Sequence, residues 1–309
     1  MTNAIDIQNL SKSFATVAAV QELTMTVPRG SIFGLIGPNG AGKSSLIRML
    51  MGIYRPDSGD AYLLGRSIRE KSGHIRQKVA YVPDVPHMYP SFLVNEMFLL
   101  ASKLYVGWDW ERCKRLSQAF SIPLNQRIRN LSRGVKVQAA LIMALSTRPD
   151  LIILDEPTGG LDPVIRKDFL YTIVDEVAAY GTTVFYSTHN ISDLEQSADH
   201  IAALYQGRLL FTSSVDELKE SVHCFHIIAS DYVLGQIREL PGLLGWQKSG
   251  KSGVVTMHGP REEILNQIQS FNPEHIEPRN ISLEDIFITL LRKAGYLGGY
   301  AETGGIRYE

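Results

Sequence analysis

One short segment, GPNGAGKSS at residues 37–45, constrains the fold more strongly than any other part of the chain. It follows the short apolar run SIFGLIG (31–37) and precedes the apolar helical pattern LIRMLMGI (46–53). The local order is therefore strand, glycine-rich turn and helix, which is the order of a βα unit. Repeated βα units build a mostly parallel sheet with helices on its faces, so the segment predicts an α/β fold.

The composition of this segment also predicts its chemistry. Glycine residues allow successive backbone N–H groups to turn toward phosphate oxygens, and the N-terminus of the following helix adds partial positive charge. Lys43 supplies a point charge to the outer phosphates, and the Ser44 hydroxyl is a hard ligand suited to Mg²⁺. The alternative, a glycine loop that serves only as a turn, does not explain why strand, lysine and helix all agree with the pattern. The predicted phosphate-binding residues are Gly37, Pro38, Asn39, Gly40, Ala41, Gly42, Lys43, Ser44 and Ser45.

The same spacing of glycine, lysine and serine occurs again in GWQKSGKS at residues 245–252. Here LPGLL (240–244) precedes the pattern, and the β-branched run VVTM (254–257) follows it in place of a helix. Without a helix N-terminus that faces the loop, an anion would find no source of partial positive charge. We therefore predict a hairpin turn between two strands at this position.

Three further apolar runs end in polar residues. They are VAYVPD (79–84), LIILDE (151–156) and TTVFYSTH (182–189). Continuous apolar runs of this length are typical of strands buried on both faces, and the ligands of parallel sheets collect at the carboxyl ends of the strands. We therefore predict that the polar ends of these runs lie beside the phosphate-binding segment, along one edge of the sheet.

The acidic pair at the end of LIILDE, Asp155 and Glu156, is the candidate catalytic centre. A carboxylate at the end of a buried strand is costly unless it has a partner. Asp155 is predicted to hold the shell of a Mg²⁺ ion, and Glu156 to orient and polarise an attacking water. His189 is a candidate contact for a terminal phosphate. The alternatives are a strand end that only precedes the turn PTGG, and a structural histidine.

Composition and charge exclude several classes of protein. The chain has 309 residues with 31 basic and 32 acidic side chains, a formal charge of -1, so no basic patch for nucleic acid is indicated. Its two cysteines, Cys113 and Cys224, form no CxxC, which argues against a disulfide framework and against zinc and fits a reducing cytosol. MTNAIDIQNL carries no signal-peptide pattern, and charges interrupt the apolar segment at 91–108. If the protein works at a membrane, another chain is expected to span it.

The order of sequence patterns predicts two domains. Residues 1–220 alternate strand and helix patterns, except for an inserted helical segment at about 85–148 that is rich in aromatic residues. Residues 221–309 change to short strand patterns and helices, which predicts a small α+β domain. The tail GGYAETGGIRYE (298–309) is predicted to be frayed.

Two further motifs complete a recognisable set. LSRGVKVQ (131–138) places Ser132 at the N-cap of an apolar helix, and GGLD occupies residues 159–162, shortly after the acidic pair. Together with the phosphate-binding segment, LIILDE and STH (187–189), these motifs resemble in order and spacing those of the ATP-binding subunit of ABC transporters. The resemblance covers residues 1 to about 220.

This resemblance implies a P-loop ATPase that uses ATP and Mg²⁺. It implies that Glu156 is the catalytic carboxylate and that His189 contacts the γ-phosphate as a second catalytic residue. It also implies that the metal ligands come from Ser44, Asp84 and Asp155.

The resemblance implies further nucleotide contacts outside the phosphate-binding segment. Phe14 would stack on adenine, since an aromatic face suits a base. Ser132 and Gly134 would contact the γ-phosphate bound by a partner chain, and Asp162 would lie at the interface. Because a working site then needs the motif of a second chain, the subunit is expected to form a homodimer or a heterodimer with a second ABC ATPase.

The resemblance also implies partners and a location. Subunits of this family drive a separate integral-membrane permease, so the protein is expected in the cytoplasm, peripheral on the inner face of the cell membrane. The segment SLEDIFITLLR (282–292) is similar to the ends of ATPases that serve ABC-2-type exporters, including drug-efflux and envelope-stress systems. A generic dimerisation or regulatory appendage is the alternative for this region. For the function, the alternatives are a non-transport ABC ATPase that acts as a mechanical or signalling module, and an importer ATPase.

The chain departs from the family pattern in two motifs. The family usually has glutamine where Asp84 stands, and a carboxylate can ligate Mg²⁺ but cannot donate a hydrogen bond. The family usually has LSGGQ where this chain has LSRGV, so Arg133 replaces a glycine and Val135 replaces a glutamine. Arg133 adds a cation that either strengthens a phosphate contact or points to solvent. Ser132 and Gly134 keep the anion site at the helix start, so we expect an active motif.

Overall fold

The computed structural model of the protein describes residues 3–70 and 73–295. The chain divides after Thr212 into two compact units, each with its own hydrophobic core. This division lies nearer the N-terminus than residue 220, where the sequence pattern predicted it. The predicted frayed tail, residues 298–309, lies outside the described residues.

Strands and helices alternate through the first unit. Its strands are β1 (Asn3–Phe14), β2 (Val17–Pro28), β3 (Ile32–Ile36), β4 (Ser58–Leu63), β5 (Arg66–Ser67), β6 (Val79–Val82), β7 (Leu151–Asp155), β8 (Thr183–Thr188), β9 (His200–Tyr205) and β10 (Arg208–Ser214). Its helices are α1 (Lys43–Leu50), α2 (Gly73–Arg76), α3 (Val94–Leu104), α4 (Trp110–Ala119), α5 (Arg133–Ser146), α6 (Pro163–Tyr180) and α7 (Ile191–Ser197), with a 3-10 turn (Ile128–Asn130) before α5.

The sheet that carries the motifs has six strands in the order β10-β9-β3-β8-β7-β6. β3 pairs in parallel with β8 and β9, and β7 pairs in parallel with β8 and β6. Every residue of β3, β7 and β8 is buried, as expected for strands covered on both faces. The prediction of an α/β fold with a mostly parallel sheet is confirmed. The four predicted strands are consecutive in this sheet, so their carboxyl ends lie along one edge.

A second sheet, in the order β2-β1-β4-β5, completes the core of the first unit. β1 pairs with β2 and β4, and β4 with β5, all antiparallel. The hydrophobic core joins this sheet to α1 and to the six-stranded sheet, with Ile5, Leu46, Phe33 and Phe185 among its buried members. α1 contacts β2 and β4 in one sheet and β7 in the other. This packing fixes the start of α1 relative to the end of β7.

Between β6 and β7 the chain leaves the sheet and forms a helical insertion, which consists of α3, α4, the 3-10 turn and α5. α5 contacts α3, α4 and β6. Phe98 is buried, whereas the side chains of Tyr89 (58%) and Trp110 (52%) are more than half exposed, so the aromatic residues divide between core and surface. A buried ion pair between Arg112 of α4 and Glu176 of α6 connects the insertion to the helix that follows the acidic pair.

The second unit is the small α+β domain that the sequence predicts. Its elements are α8 (Val215–Ser221), β11 (Val222–Ile228), α9 (Asp231–Arg238), β12 (Leu243–Ser249), β13 (Ser252–His258), α10 (Arg261–Gln269), β14 (His275–Arg279) and α11 (Leu283–Lys293). The antiparallel sheet has the order β12-β13-β11-β14, and two helices connect its strands in a β-α-β-β-α-β, ferredoxin-like arrangement.

The second copy of the glycine-lysine-serine pattern lies in the hairpin between β12 and β13. Ser249 pairs with Ser252 across the turn, and Gly250 has a φ of 58°. No helix follows the pattern, so the predicted hairpin turn is confirmed. None of the helices in residues 3–70 and 73–295 combines the length and the apolarity needed to cross a bilayer.

Candidate active site

The phosphate-binding segment connects β3 to α1, as predicted. Gly42 stands at the helix start with a φ of 107°, and a Cβ at this position would lie 2.2 Å from the Ala19 carbonyl oxygen. Only glycine fits there without displacing the neighbouring backbone. The first N–H groups of α1 have no partners within the helix, so they remain available to an anion in front of it.

Lys43, the first residue of α1, is buried and turns back over the segment. Its Nζ donates to the Gly37 carbonyl oxygen at 2.6 Å and lies 3.2 Å from Oε1 of Glu156. The ammonium group is therefore held between two oxygens. A phosphate oxygen can replace either of them, because each is a simple acceptor for the same N–H donors.

Asp155 ends β7 with its side chain almost fully buried at 2% exposure. Its Oδ1 accepts hydrogen bonds from the Ser44 hydroxyl (3.0 Å) and from the Ser187 hydroxyl (2.9 Å). Burial raises the pKa of Asp155 above its usual value, and these two hydrogen bonds oppose the increase. The sequence alone did not indicate a role for Ser187, because its position opposite Asp155 depends on the register of β7 against β8.

Glu156 follows directly and has a φ of 48°, a left-handed conformation that is strained for a residue with a side chain. Its backbone N–H donates to the Ser187 hydroxyl at 3.0 Å. One carboxylate oxygen faces Lys43, and the other lies 2.7 Å from Nδ1 of His189. The left-handed backbone thus places the carboxylate between the ammonium group of Lys43 and the imidazole of His189.

A hydrogen-bond network behind the site was not indicated by the sequence. The Thr158 hydroxyl donates to Oδ2 of the buried Asp193 at 2.7 Å, and Nε of Arg166 donates to Oδ1 at 2.5 Å. These contacts tie the loop after Glu156 to α7, which follows His189, and to α6. No motif spacing relates the three residues, so only the fold reveals the network.

The phosphate-binding segment borders a cleft of about 600 Å³, a volume in the range of small-molecule sites. Outside the segment itself, the cleft is lined by Val17, Ala19, Asp84, Arg133, Glu156, Gly159, Gly160 and His189. The hydroxyl of Ser44 and the carboxylates of Asp84 and Asp155 are hard oxygen donors, which are the ligands that Mg²⁺ prefers. The donor set therefore fits the cation of a magnesium nucleotide.

Phe14, the predicted adenine contact, packs edge-on against Tyr54 with ring centroids 5.1 Å apart. The ammonium group of Lys12 lies 5.4 Å from its ring centroid. Val17 and Ala19, a few residues further along, line the cleft, whereas Phe14 does not. Its role in adenine binding remains a prediction.

Ser132 caps α5 by accepting a hydrogen bond from the Val135 backbone N–H at 3.3 Å, which confirms the predicted N-cap. Gly134 lies in the first turn, and a Cβ there would be 3.4 Å from the Leu161 side chain. Asp162 caps α6 by accepting from two backbone N–H groups, at 3.1 and 3.0 Å. Neither Ser132 nor Gly134 is among the residues that line the cleft of their own chain.

Arg133 contacts Asp84 rather than pointing only to solvent, which was one of the two alternatives that the sequence left open. Its Nη2 lies 2.5 Å from Oδ1 of Asp84, and the two side chains are 51% and 47% exposed. Asp84 and Arg133, which depart from the family pattern in two different motifs, are therefore partners in one ion pair.

Two groups of features define the class of this site. One is the strand, glycine-rich turn and helix with its buried lysine. The other is the acidic pair and the histidine at the ends of the parallel strands β7 and β8. They belong to a P-loop nucleotide-hydrolysing enzyme.

Comparisons with known proteins identify the family. The family described as ABC transporter matches residues 20–159. The ABC transporter ATP-binding protein YtrB of Bacillus subtilis (strain 168) is 30% identical over 286 residues, which are 92% of this chain and 97% of YtrB. The Nod factor export ATP-binding protein I of Rhizobium sp. (strain N33) is 31% identical over 299 residues, 93% of this chain and 96% of that protein. A solved ATP-binding subunit of an ABC transporter has a TM-score of 0.64 at 28% identity and covers 71% of this chain and 92% of its own.

The chain belongs to the ABC transporter family as an ATP-binding subunit. Its reaction is the hydrolysis of ATP, and the predicted P-loop ATPase is confirmed.

Proposed function

We propose that this subunit works as a dimer that binds two ATP and drives export through a separate membrane permease. The proposal rests on how much of the chain is matched by a relative that serves export. The match to a Nod factor export ATP-binding protein spans 93% of the chain, so it includes the C-terminal unit as well as the ATPase unit. An ATPase whose whole architecture matches that of an export protein is expected to serve a transporter of the same general kind, although fold alone does not fix a substrate.

Within the site, each residue has a role that its geometry supports. The triphosphate lies along residues 37–45, with Lys43 moving from Glu156 to the outer phosphates. Ser44, Asp155 and Asp84 would hold Mg²⁺, which would supply positive charge to the outer phosphates. Once Lys43 leaves it, the carboxylate of Glu156 orients the attacking water and accepts its proton. His189, within hydrogen-bond distance of Glu156, contacts the γ-phosphate.

The dimer follows from the position of the helix start at Ser132. This anion site retains its serine and glycine but lies outside the lining of the cleft in its own chain. We propose that it caps the γ-phosphate of ATP bound to a second chain, with Asp162 at the same interface. The second chain is either another copy or a different ABC ATPase.

The permease contact is proposed for the helical insertion. Subunits of this family typically pair with membrane permeases. The segment between β6 and β7 exposes several large apolar side chains, and exposed apolar surface of this kind often marks an interface. They are Val85, Tyr89, Leu99, Leu104, Val106 and Trp110. Such a contact would place the subunit at the inner face of the cell membrane, as a peripheral protein.

The direction of transport is tested by reconstitution with the membrane permease that copurifies with this chain. A compound that stimulates ATP hydrolysis by the complex is first identified, and its movement is then followed in inside-out vesicles. We expect accumulation inside these vesicles that requires ATP and is lost in Lys43→Ala, because removal of the lysine charge weakens phosphate binding. Accumulation only in right-side-out vesicles loaded with ATP would indicate import. ATP hydrolysis without movement of any compound would indicate a mechanical or signalling module.

A further inference from the structure

The ion pair between Arg133 and Asp84 joins two parts of the first unit that are distant in sequence. Arg133 is the first residue of α5 in the helical insertion, and Asp84 follows β6 at the edge of the six-stranded sheet. The guanidinium group also lies over the loop after the acidic pair. A Cβ atom on Gly160 would lie 3.4 Å from Nη1 of Arg133, and a Cβ atom on Gly159 would lie 3.7 Å from Nη2.

Both partners of the ion pair line the nucleotide cleft, together with Lys43 and Ser44. The guanidinium group of Arg133 therefore occupies the side of the cleft where Asp84 would face a bound nucleotide. Its distances from the Cβ positions of Gly159 and Gly160 correspond to van der Waals contact, so the guanidinium group lies against the loop at residues 159 and 160. The arginine of the same chain thus forms part of this side of the cleft.

Arg133 and a metal cation should compete for the carboxylate of Asp84 when a magnesium nucleotide binds. A carboxylate that is neutralised by a guanidinium cannot give its full charge to a metal cation, since both cations need the same oxygens. This step rests on the proposed role of Asp84 as a metal ligand. The two side chains are about half exposed, and ion pairs of such exposure contribute roughly 0 to 1 kcal/mol. The pair is therefore weak enough to open at the cost of a small part of the binding energy of a nucleotide.

We propose that Arg133 is a positioning residue that holds Asp84 and the start of α5 against the cleft of its own chain, and that a magnesium nucleotide releases it. In the nucleotide-free chain the pair keeps the helical insertion attached to the β6 edge. When the carboxylate turns to the cation, Arg133 and the start of α5 are freed together. Asp84 and Arg133 then differ from the family pattern together, because each supplies the charge that neutralises the other.

The test measures how the binding of a non-hydrolysable ATP analogue depends on Mg²⁺ concentration. The variants are Arg133→Ala, Asp84→Asn and the double substitution. Arg129→Ala is the matched control, because Arg129 is an exposed arginine before α5 that does not line the cleft. Arg133→Ala should lower the Mg²⁺ concentration for half-maximal binding by about 2- to 5-fold, the effect of removing a partly exposed ion pair. Asp84→Asn should raise that concentration, and Arg133→Ala should cause no further change in the Asp84→Asn background.

A second readout follows the helix itself. At protein concentrations at which the chain stays monomeric, hydrogen exchange of the backbone amides at residues 133–138 should increase when the magnesium analogue binds to the wild-type chain, because no second chain then covers the start of α5. In Arg133→Ala the same amides should exchange faster before any nucleotide is added, because the start of α5 has lost its ion pair with Asp84.

Three results would overturn the proposal. Arg133→Ala could shift the Mg²⁺ dependence no more than Arg129→Ala does, which would show that the pair does not compete with the cation. Arg133→Ala could weaken analogue binding even without Mg²⁺, which would show that the arginine contacts phosphate in its own chain. An unchanged Mg²⁺ dependence in Asp84→Asn would remove the proposed metal role of Asp84 and the competition with it. Loss of the proposed ATP site itself would be recognised separately, because Lys43→Ala would then bind the analogue as well as the wild type.

Discussion

At the scale of single residues, the site depends on one buried carboxylate. Burial raises the pKa of Asp155, so the ionised form of its carboxylate costs stability in the nucleotide-free chain. The hydroxyl groups of Ser44 and Ser187 both donate to one oxygen of this carboxylate, and an asparagine oxygen in the same place can accept both. The charge can therefore be removed while both hydrogen bonds are kept.

We predict that Asp155→Asn raises the unfolding temperature of the nucleotide-free protein at pH 8. The gain should shrink as the pH falls through the raised pKa of Asp155, because the wild-type side chain then becomes neutral as well. Thermal unfolding measured from pH 8 to pH 4 tests this. Asp57→Asn is the control of opposite sign, because a hydrogen bond from Lys12 lowers the pKa of Asp57. That variant should lose stability at pH 8 and keep most of this loss down to pH 4, because the pKa of Asp57 lies below its ordinary value of 3.8. A destabilised Asp155→Asn at every pH would refute the account.

Ser187 is the second residue whose role is positional. Its hydroxyl donates to Asp155 and accepts from the backbone N–H of Glu156. Ser187→Ala should therefore lower the turnover of ATP by roughly tenfold, since small displacements of catalytic groups are costly. Ser146→Ala is a matched control, because Ser146 is equally buried and its hydroxyl donates to the Ile142 carbonyl oxygen within α5, away from the acidic pair. Both variants should lose about 1 kcal/mol of stability. Equal turnover in the two variants would remove the positioning role.

At the scale of elements, the start of α5 has a helix cap at Ser132, and we propose that the same serine also contacts the phosphate bound to a second chain. Ser132 and Ser230 make the same N-cap contact at the starts of α5 and α9. Replacement of either serine by phenylalanine should cost about 1 kcal/mol of stability, the usual effect of losing a cap. Only Ser132→Phe should abolish ATP hydrolysis, because a bulky side chain would exclude the partner chain's phosphate. The measurement is steady-state ATP hydrolysis by both variants. ATP hydrolysis by Ser132→Phe would show that this segment acts only as a helix cap.

The helical insertion is held to α6 by the buried pair of Arg112 and Glu176, with the Arg112 guanidinium 4.1 Å from the ring centroid of Tyr180. Removal of one partner leaves an unpaired buried charge, so Arg112→Met should destabilise the fold by about 3 to 5 kcal/mol. Arg112→Met combined with Glu176→Leu should recover most of that loss, because no charge remains buried. Chemical denaturation of the three proteins measures these values. A double variant no more stable than Arg112→Met would contradict the assignment.

The strands were predictable because their information is local. Continuous apolar runs that end in polar residues indicated β3, β6, β7 and β8, and the parallel sheet then required their ends to meet at one edge. The contact between Asp84 and Arg133 was not predictable in the same way. The two residues are 49 positions apart, and their approach depends on how α5 packs against β6. The Thr158–Asp193 contact is hidden from the sequence for the same reason.

At the scale of the whole molecule, two units share the chain. The first contains the phosphate-binding segment, the acidic pair and the histidine, and the second has a ferredoxin-like sheet with a separate core. The pattern of the sequence predicted two units with a boundary at about residue 220, and the compact units divide after Thr212, so that α8 lies in the second unit. Hydrophobic periodicity identifies an element but does not reveal which core it packs against.

The central claim of the account is that Glu156 activates water for ATP hydrolysis between two associated chains. The most direct test is Glu156→Gln, measured for ATP binding, ATP turnover and oligomeric state in one preparation. The amide keeps the shape of the side chain but cannot accept a proton, so turnover should fall by about 100-fold or more. ATP should still bind, and a dimer with trapped ATP should accumulate. Turnover within twofold of the wild type, with ATP bound and no accumulated dimer, would contradict the account.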